Sequence, residues 1–415
     1  MFTTCELYPF PVFLLSVAVV ALLIRLATRL HWMDIPDGRK VHTRPMPCIG
    51  GVAMCVVFVL AVLLLPYKPQ NYEILLVSII LLTLVGLYDD LRGIDALKRF
   101  LFQTMVVLFI VLTGNIRIDN LGDLLNQGFD IHPYTYMVVL ITVLAGVGLI
   151  NAFNMIDGLD GLAGGLALIA TVYLLVAWCA VPCVLNCGSA GALLVFAMTI
   201  LGFLMFNMRF PWHTRACVFM GDAGSTMLGA VLLWFLVHYS QVHASRAAMI
   251  EPITAVWFVL IPLIDTWTVM IRRLVDGQNP FVADRRHIHH LLINLGYSDS
   301  QTTARLLAVA VITGAIGFSA YQFHTPEAIQ LVVLCLIFLV YYVVTGYFWA
   351  QLGCGAGCEA GEKQRFCLRR ILTLRFGKLS AWVDERLANA EPAQESRWIK
   401  RTSKARKIDA VFADD

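Results

Sequence analysis

Long apolar runs dominate this chain and restrict what it can fold into. About eleven runs are long enough, at roughly 17–25 residues, to cross the hydrocarbon core of a bilayer as helices. Hydrophobic residues make up 59% of the 415 positions and charged residues only 14%, which is too apolar for an ordinary soluble domain. The sequence therefore predicts an all-α, polytopic membrane protein. The runs lie near 7–29, 49–66, 72–88, 99–114, 134–151, 161–181, 188–207, 218–238, 251–271, 304–322 and 327–349.

The short loops between these runs differ in basic content. Alternate loops carry most of the Lys and Arg, and cytoplasmic loops retain such residues, so we expect an outside N-terminus and a cytoplasmic C-terminus. Residues 1–350 are then an integral membrane domain and 351–415 a cytoplasmic tail. Within the tail, 366–388 is a candidate amphipathic helix that would lie on anionic lipid.

Overall charge and cysteine usage exclude other classes. A net charge of +3 is too small to indicate a nucleic-acid partner. The eleven Cys are scattered through apolar runs, which fits buried hydrophobic residues better than a disulfide framework. The first segment has no leading basic cluster and resembles a retained anchor rather than a cleaved signal peptide.

One stretch places four polar side chains at the end of an apolar run: Asn151, Asn154, Asp157 and Asp160. Polar groups within a membrane are costly, so they are functional candidates. A spacing of three drifts about 60° per step round a straight helix, which would spread the four side chains. The glycines after Asp157 and Asp160 predict instead that the helix ends or kinks near Asp157, so that the side chains share one cavity. Any single one of them is equally explained as a helix cap.

Three further acidic residues lie on the predicted cytoplasmic face. Asp89 and Asp90 end the third run, where acid opposes the helix dipole, and such a pair can hold a divalent cation or deprotonate a nucleophile. Asp222 opens the eighth run, where an N-terminal cap is the alternative explanation. Phe219, just before it, is suited to stack on a base or to pack in the core.

Two basic loops complete the cytoplasmic set. The segment from Arg285 to His290 contains Arg286, His287 and His289, and without further ligands it favours binding of an anionic phosphate over zinc. The first loop carries Lys40 and His42 and leads into the glycine pair Gly50 and Gly51.

These motifs, in this order, resemble the polyprenyl-phosphate N-acetylhexosamine-1-phosphate transferase superfamily, the glycosyltransferase 4 family. The resemblance covers roughly residues 7–350. The first loop, the His-Ile-His-His sequence and the tail are similar to the WecA-type branch, which makes undecaprenyl-diphospho-GlcNAc. The resemblance implies an enzyme of the bacterial inner membrane, with a cytoplasmic active site, that begins a cell-surface polysaccharide such as O-antigen.

The resemblance also implies substrates and site roles. We expect UDP-GlcNAc and undecaprenyl phosphate as substrates, the bilayer as solvent, and Mg²⁺ as cofactor with Mn²⁺ as a substitute; a homodimer is left open. The family pattern assigns Asp89, Asp90 and Asp157 to catalysis and Asp222 and Asn154 to the metal. It places nucleotide sugar at Phe219, Asp160, Asn151, Arg285, Arg286, His287, His289, His290, Gly50 and Gly51, and lipid phosphate at Lys98, Lys40 and His42.

Physical reasoning supports this hypothesis but leaves alternatives. One substrate is confined to the bilayer and the other is soluble, so an interfacial site with cations is needed to bring two anionic phosphates together. Attack of the lipid phosphate on the β-phosphorus would release UMP. An MraY-like transferase of phospho-MurNAc-pentapeptide, a secondary transporter with intramembrane polar groups, and a non-catalytic binding scaffold are the alternatives.

Overall fold

The structure is a computed structural model that describes most of the chain. Three predicted site residues, Lys40, His42 and Arg285, lie outside the described residues. The described ranges are 9–30, 32–34, 45–180, 187–209, 215–241, 248–279, 286–352 and parts of 368–412.

The chain divides into two compact units. The first comprises residues 1–267 and 306–334, and the second 268–305 and 335–415. The described elements that begin in the first unit are α1 (Pro9–Leu30), β1 (Met33–Asp34), β2 (Met46–Pro47), α2 (Gly50–Leu64), α3 (Tyr72–Arg92), α4 (Ala96–Gly114), α5 (Thr135–Ile156), α6 (Leu162–Ala180), α7 (Cys187–Asn207), α8 (Gly221–Ser240), α9 (Pro252–Phe258), α10 (Leu260–Val275) and α13 (Glu327–Gln351). Those that begin in the second are α11 (Ile288–Asn294), α12 (Asp299–Gln322), α14 (Ala381–Ala388) and α15 (Pro392–Thr402).

The described helices confirm a helical, multi-pass protein, with fewer full-length spans than the sequence predicts. Within the described ranges, nine helices are long and apolar enough to cross a bilayer, and α9 with α10 makes a tenth if that pair is one span. The run predicted at 49–66 forms the 15-residue helix α2, which is shorter than the roughly 20 residues of a full crossing. The orientation stays a prediction.

The run predicted at 251–271 is not one straight helix, because the chain bends by 85° between α9 and α10, which makes the pair either a broken span or a re-entrant loop. Pro262 lies two residues into α10 and has no backbone N–H to donate to the carbonyl of Phe258. Its ring also clashes with that preceding turn in a continuous helix. The sequence therefore contains the cause of the break.

Helix α8 is the centre of the first unit. Every residue from Ala223 to Ser240 is buried, as expected for a helix that is apolar all round. It packs against α2, α3, α5 and α6. Glycines permit these close approaches: Gly86 of α3 faces Ala223, and Gly229 of α8 faces Ile150 of α5.

Replacing Gly86 by alanine is expected to destabilise the unit by about 1–3 kcal/mol, because the added Cβ would lie 2.5 Å from the Cα and N atoms of Ala223. Thermal unfolding of the purified protein in detergent measures the effect. Gly148→Ala is the matched control, since no described atom lies within 4 Å of its added Cβ. Equal unfolding temperatures for the two variants would refute the packing argument.

The C-terminal part of the second unit has its own small core. Leu372, Val383, Trp398 and Phe412 are buried together. Gly377 adopts a left-handed conformation with φ of 84°, and α14 begins at Ala381. The amphipathic helix expected within 366–388 stays a prediction. The predicted division of the chain at residue 350 stays a prediction.

Candidate active site

The stretch from Asn151 to Gly161 forms the end of one helix and a turn into the next. Helix α5 ends at Ile156, and Asp157 follows with a non-helical backbone. Gly161 has φ of 76°, which favours glycine, and its N–H donates to Oδ1 of Asn207 at 2.8 Å. The predicted helix end near Asp157 is confirmed.

Asn154 and Asp222 meet at the junction of α5 and α8. Nδ2 of Asn154 donates to Oδ1 of Asp222 at 2.7 Å and to Oγ of Ser225 at 3.0 Å. Asp222 lies in the first turn of α8, where a negative charge is favoured by the helix dipole. Two residues that lie 68 positions apart in the sequence are therefore in direct contact.

Arg99 connects two of the predicted carboxylates. Its Nη1 atom lies 2.9 Å from Oδ2 of Asp89 and 2.8 Å from Oδ2 of Asp222. Asp89 also accepts from the N–H of Ile94 at 2.6 Å, so this carboxylate is fixed, and its side chain is only 8% exposed. The Asp222 side chain is 30% exposed, so solvent and ligands can reach it.

Asp90 lies at the N-terminus of α8. Its Oδ1 accepts from the N–H of Asp222 at 2.9 Å, and its Oδ2 lies 3.3 Å from the N–H of Ala223. A carboxylate from α3 therefore satisfies N–H groups that the first turn of a helix leaves unpaired. This geometry gives the second Asp of the pair a structural contact that the sequence did not suggest.

Asp157 lies near three other carboxylates. Burial raises the pKa of the Asp157 carboxyl well above its ordinary value, and the negative charges of Asp222, Asp90 and Asp160 raise it further. Part of the Asp157 surface remains accessible, so the acid can exchange its proton with solvent or a ligand. The site thus concentrates negative charge that only a proton or a cation can offset.

Asp160 pairs with a residue that the sequence reasoning did not connect to it. Nε of Arg209 lies 2.6 Å from Oδ2 of Asp160, and the N–H of Ala216 lies 3.4 Å from the same oxygen. Phe219 is partly buried, and its N–H donates to the carbonyl of Pro47 at 2.9 Å. Contacts of Asp160 and Phe219 with a nucleotide stay predictions.

The other predicted residues of this unit have local partners. Asn151 donates through Nδ2 to Oε1 of Gln103 at 2.7 Å. The N–H groups of Gly50 and Gly51 donate to the carbonyls of residues 219 and 220, each at 3.0 Å. Lys98 is exposed on the first turn of α4. Ligand contacts by these four residues also stay predictions.

The histidine segment lies in the second unit and is ordered by its own contacts. Trp349 Nε1 donates to the carbonyl of Arg286 at 3.0 Å, and Arg286 Nη1 lies 2.6 Å from Oδ2 of Asp276. His287 and His289 are buried with nearly parallel rings, and the His289 and His290 ring centroids are 4.2 Å apart. The segment has a fixed shape; its predicted ligand stays untested.

The carboxylates fit a hard divalent cation. Among the residues that the structure describes, no three His, Cys, Asp or Glu side chains are arranged to hold a metal by themselves. Mg²⁺ does not require such a cage, because it keeps waters and is held by one or two carboxylates together with substrate phosphates. The partly exposed carboxylate of Asp222 and the side-chain carbonyl of the neighbouring Asn154 are oxygen donors of that type.

Comparison with known proteins agrees with the geometry. A family model described as glycosyl transferase family 4 matches residues 72–240. Undecaprenyl-phosphate alpha-N-acetylglucosaminyl 1-phosphate transferase of Escherichia coli K12 is 31% identical over 335 residues, which cover 80% of this chain and 88% of that protein. The protein of the same name from Yersinia pestis is 33% identical over 345 residues, with the same coverage. The chain belongs to glycosyl transferase family 4.

The matched glycosyl transferase family 4 region contains the carboxylate cluster, from Asp89 to Asp222. It also contains residues that sequence reasoning missed. The missed residues are Arg99, Gln103, Arg209 and Ser225, each of which contacts a predicted site residue. Arg99 was visible only as one of several basic loop residues, since nothing in its spacing shows which helix it faces.

Replacing Asp157 by asparagine is expected to make protein stability less dependent on pH. Well below the ordinary Asp pKa of about 4, the carboxyl is protonated in both folded and unfolded chains. As the pH rises toward the raised folded pKa, the unfolded chain releases the proton while the folded chain keeps it, so the folded state loses relative stability. An asparagine side chain cannot ionise and avoids this loss. Thermal unfolding in detergent should show an unfolding temperature for the variant that is higher than that of the wild type by roughly 2 °C or more at about pH 8. The difference should be smaller at about pH 4.5. Unfolding temperatures that change in parallel with pH in the two proteins would contradict the prediction.

Proposed function

We propose that this protein transfers GlcNAc-1-phosphate from UDP-GlcNAc to undecaprenyl phosphate, yielding undecaprenyl-diphospho-GlcNAc and UMP. Relatives bearing that activity in their names match most of the chain. The observation that carries the proposal is the cluster of Arg99, Asn154 and the carboxylates of Asp89, Asp157 and Asp222 where α3, α4, α5 and α8 meet. Both substrates are phosphates, and this cluster is suited to organise their charge.

The reaction exchanges one phosphorus–oxygen bond for another. A phosphate oxygen of undecaprenyl phosphate attacks the β-phosphorus of UDP-GlcNAc, and the bond between that phosphorus and the oxygen bridging to the α-phosphate breaks. The bridging oxygen and its electron pair leave with UMP. The attacking phosphate is already anionic near neutral pH, so positioning and charge control contribute more than proton removal.

The protein side chains have distinct parts in this mechanism. Arg99 holds Asp89 and Asp222 at fixed positions and offsets their charge. Asn154 orients Asp222 through a hydrogen bond. Asp157, with a raised pKa, is suited to keep or exchange a proton beside the reacting phosphates. Asp90 fixes the start of α8, on which Asp222 is presented.

Asp222 and Asn154 are the residues that would hold Mg²⁺, with Mn²⁺ as a substitute. When bound, the ion supplies positive charge that neutralises the diphosphate oxygens. The fit rests on the hard oxygen donors of a partly exposed carboxylate and a neighbouring amide.

The remaining assignments complete the proposal. The carboxylate cluster faces the cytoplasm of a bacterial cell, with the N-terminus outside, because the basic loops lie on the same side as the cluster. Arg286 and the histidines of the second unit are proposed to bind phosphate oxygens, since a guanidinium and clustered N–H donors suit them. The product begins a cell-surface polysaccharide.

The direct test supplies purified protein with labelled UDP-GlcNAc, undecaprenyl phosphate and Mg²⁺. The expected result is release of UMP together with a lipid-linked sugar label, abolished when the lipid or the ion is withheld. Binding without UMP release would indicate a scaffold. Uptake of label into sealed vesicles without UMP release would indicate a transporter.

A further inference from the structure

A cavity of about 410 Å³ opens between the last turn of α4 and the first turns of α5. This volume is within the range of roughly 300–1,000 Å³ that is usual for small-molecule sites. Arg99 stands on the first turn of α4 and Val111 of the cavity near its end. At 1.5 Å per residue the cavity lies roughly 18 Å along the helix from Arg99, towards the opposite end of the membrane span.

One wall of the cavity is apolar and partly exposed on the surface of the helices. Val111 and Leu112 come from α4, and Val138 and Val139 from α5. The Leu112 side chain is 70% exposed, although it belongs to a helix apolar enough to span the bilayer. Such a wall suits the part of an acyl chain that is nearest the headgroup.

The rim of the cavity carries both signs of charge. Arg117, Asp119 and His132 line it. Nε of Arg117 lies 3.0 Å from Oδ1 of Asp119, and the two side chains are 45% and 41% exposed. A guanidinium has further N–H donors and a carboxylate further lone pairs, so the pair can bind a second pair of opposite charges.

The loop that carries this rim is held in place before any ligand arrives. The N–H of Asn120 donates to Oε1 of Gln241 at 2.9 Å, and Nε2 of Gln241 donates back to the carbonyl of Asn120 at 3.1 Å. The N–H of Ile118 donates to Oγ1 of Thr142 at 2.9 Å. A preformed rim reduces the entropy lost on binding.

Neighbouring aromatic residues are typical of the level of the lipid headgroups. Tyr134 and Tyr136 are exposed and stacked, with ring centroids 6.0 Å apart. Exposed tyrosines are enriched at the boundary between the bilayer and water. The charged rim therefore lies where a headgroup is expected, and the apolar wall lies further from the ends of α4 and α5.

We propose that this cavity binds a zwitterionic phospholipid with a primary amine, of the phosphatidylethanolamine type. The phosphate contacts Arg117, the ammonium donates to Asp119, and an acyl chain lies along Val111 and Leu112. A quaternary choline group has no N–H to donate to Asp119, and an anionic headgroup without an amine offers Asp119 no ammonium and adds a negative charge beside it.

The test offers delipidated, full-length protein an equimolar mixture of dioleoyl phosphatidylethanolamine, phosphatidylcholine and phosphatidylglycerol, and counts bound lipids by native mass spectrometry. We expect phosphatidylethanolamine to be retained over each of the others by roughly fivefold. Equal retention of all three, or preference for phosphatidylcholine or phosphatidylglycerol, would overturn the proposal. The relative retention of the three lipids tests the proposal on the wild-type protein, so the test does not depend on whether a variant folds.

Variants assign the contacts. Asp119→Asn is expected to remove the preference for ethanolamine over choline, whereas Arg117→Gln lowers retention of both lipids alike. Lys68→Gln is the matched control: Lys68 is an exposed cation before α3, at the same membrane end, and it is not part of the cavity lining. An unchanged preference in Asp119→Asn, or its loss in Lys68→Gln, would contradict the assignment.

Discussion

Replacing Asp222 by asparagine is expected to lower the rate of UMP release at least about 100-fold, because several charged contacts converge on this carboxylate. Asp222 accepts from Asn154 at 2.7 Å and from Arg99 at 2.8 Å, and its side chain is exposed enough to meet substrate. Asparagine has the same shape but no negative charge. It therefore leaves the charge of the Arg99 guanidinium less neutralised and weakens the binding of a cation. The rate is measured on purified protein with saturating Mg²⁺ and both substrates.

The same substitution elsewhere controls for unspecific effects. Asp130 pairs with Asn120 in the loop between α4 and α5, at the end of those helices away from Arg99. Asp130→Asn should leave UMP release unchanged. A normal rate in Asp222→Asn at equal protein level would remove Asp222 from the active site. A raised Mg²⁺ requirement in Asp222→Asn, with a partial return of rate at high Mg²⁺, would support its assignment to the metal.

The helix break at Asp157 shows what the sequence can predict. Polar residues at every third position cannot share one face of a straight helix, and two glycines follow the acids, so local geometry alone predicts the turn. The structure confirms that α5 ends at Ile156. The bend between α9 and α10 is equally local, since Pro262 removes an N–H from the helix there, although the apolar length of the run predicts one unbroken span.

The partners of the polar residues could not be predicted in this way. Arg209 meets Asp160 across 49 positions and Gln103 meets Asn151 across 48, and only the packing of helices decides such pairs. Lys98 and Arg99 are adjacent, and their spacing from Asp89 gives no preference. Two local features orient α4: Gly93 has φ of 74°, and Asp95 caps the helix by accepting from the N–H of Leu97. Together they direct Arg99 to the carboxylates and leave Lys98 exposed.

Replacing Arg99 by glutamine is therefore expected to lower UMP release by roughly 10–100-fold, more than the same change at Lys98. Without the guanidinium, Asp89 and Asp222 lose the charge that lies within 3 Å of both, and each carboxylate is left close to other acids. Arg99→Lys should restore only part of the rate, because an ammonium is a strongly hydrated charge on a flexible stem and is held less firmly between the two carboxylates than Nη1 of the guanidinium.

The comparison with Lys98 decides which of the two basic side chains acts in the active site. Lys98→Gln losing more activity than Arg99→Gln would favour the sequence-based assignment of lipid phosphate to Lys98. Arg92→Gln, which changes an exposed arginine in the last turn of α3, should leave the rate unaltered. Varying the undecaprenyl phosphate concentration separates two roles for Arg99. A rise in KM for the lipid alone would place the guanidinium on the lipid phosphate, whereas a fall in kcat with both KM values unchanged would indicate that it acts by holding Asp89 and Asp222.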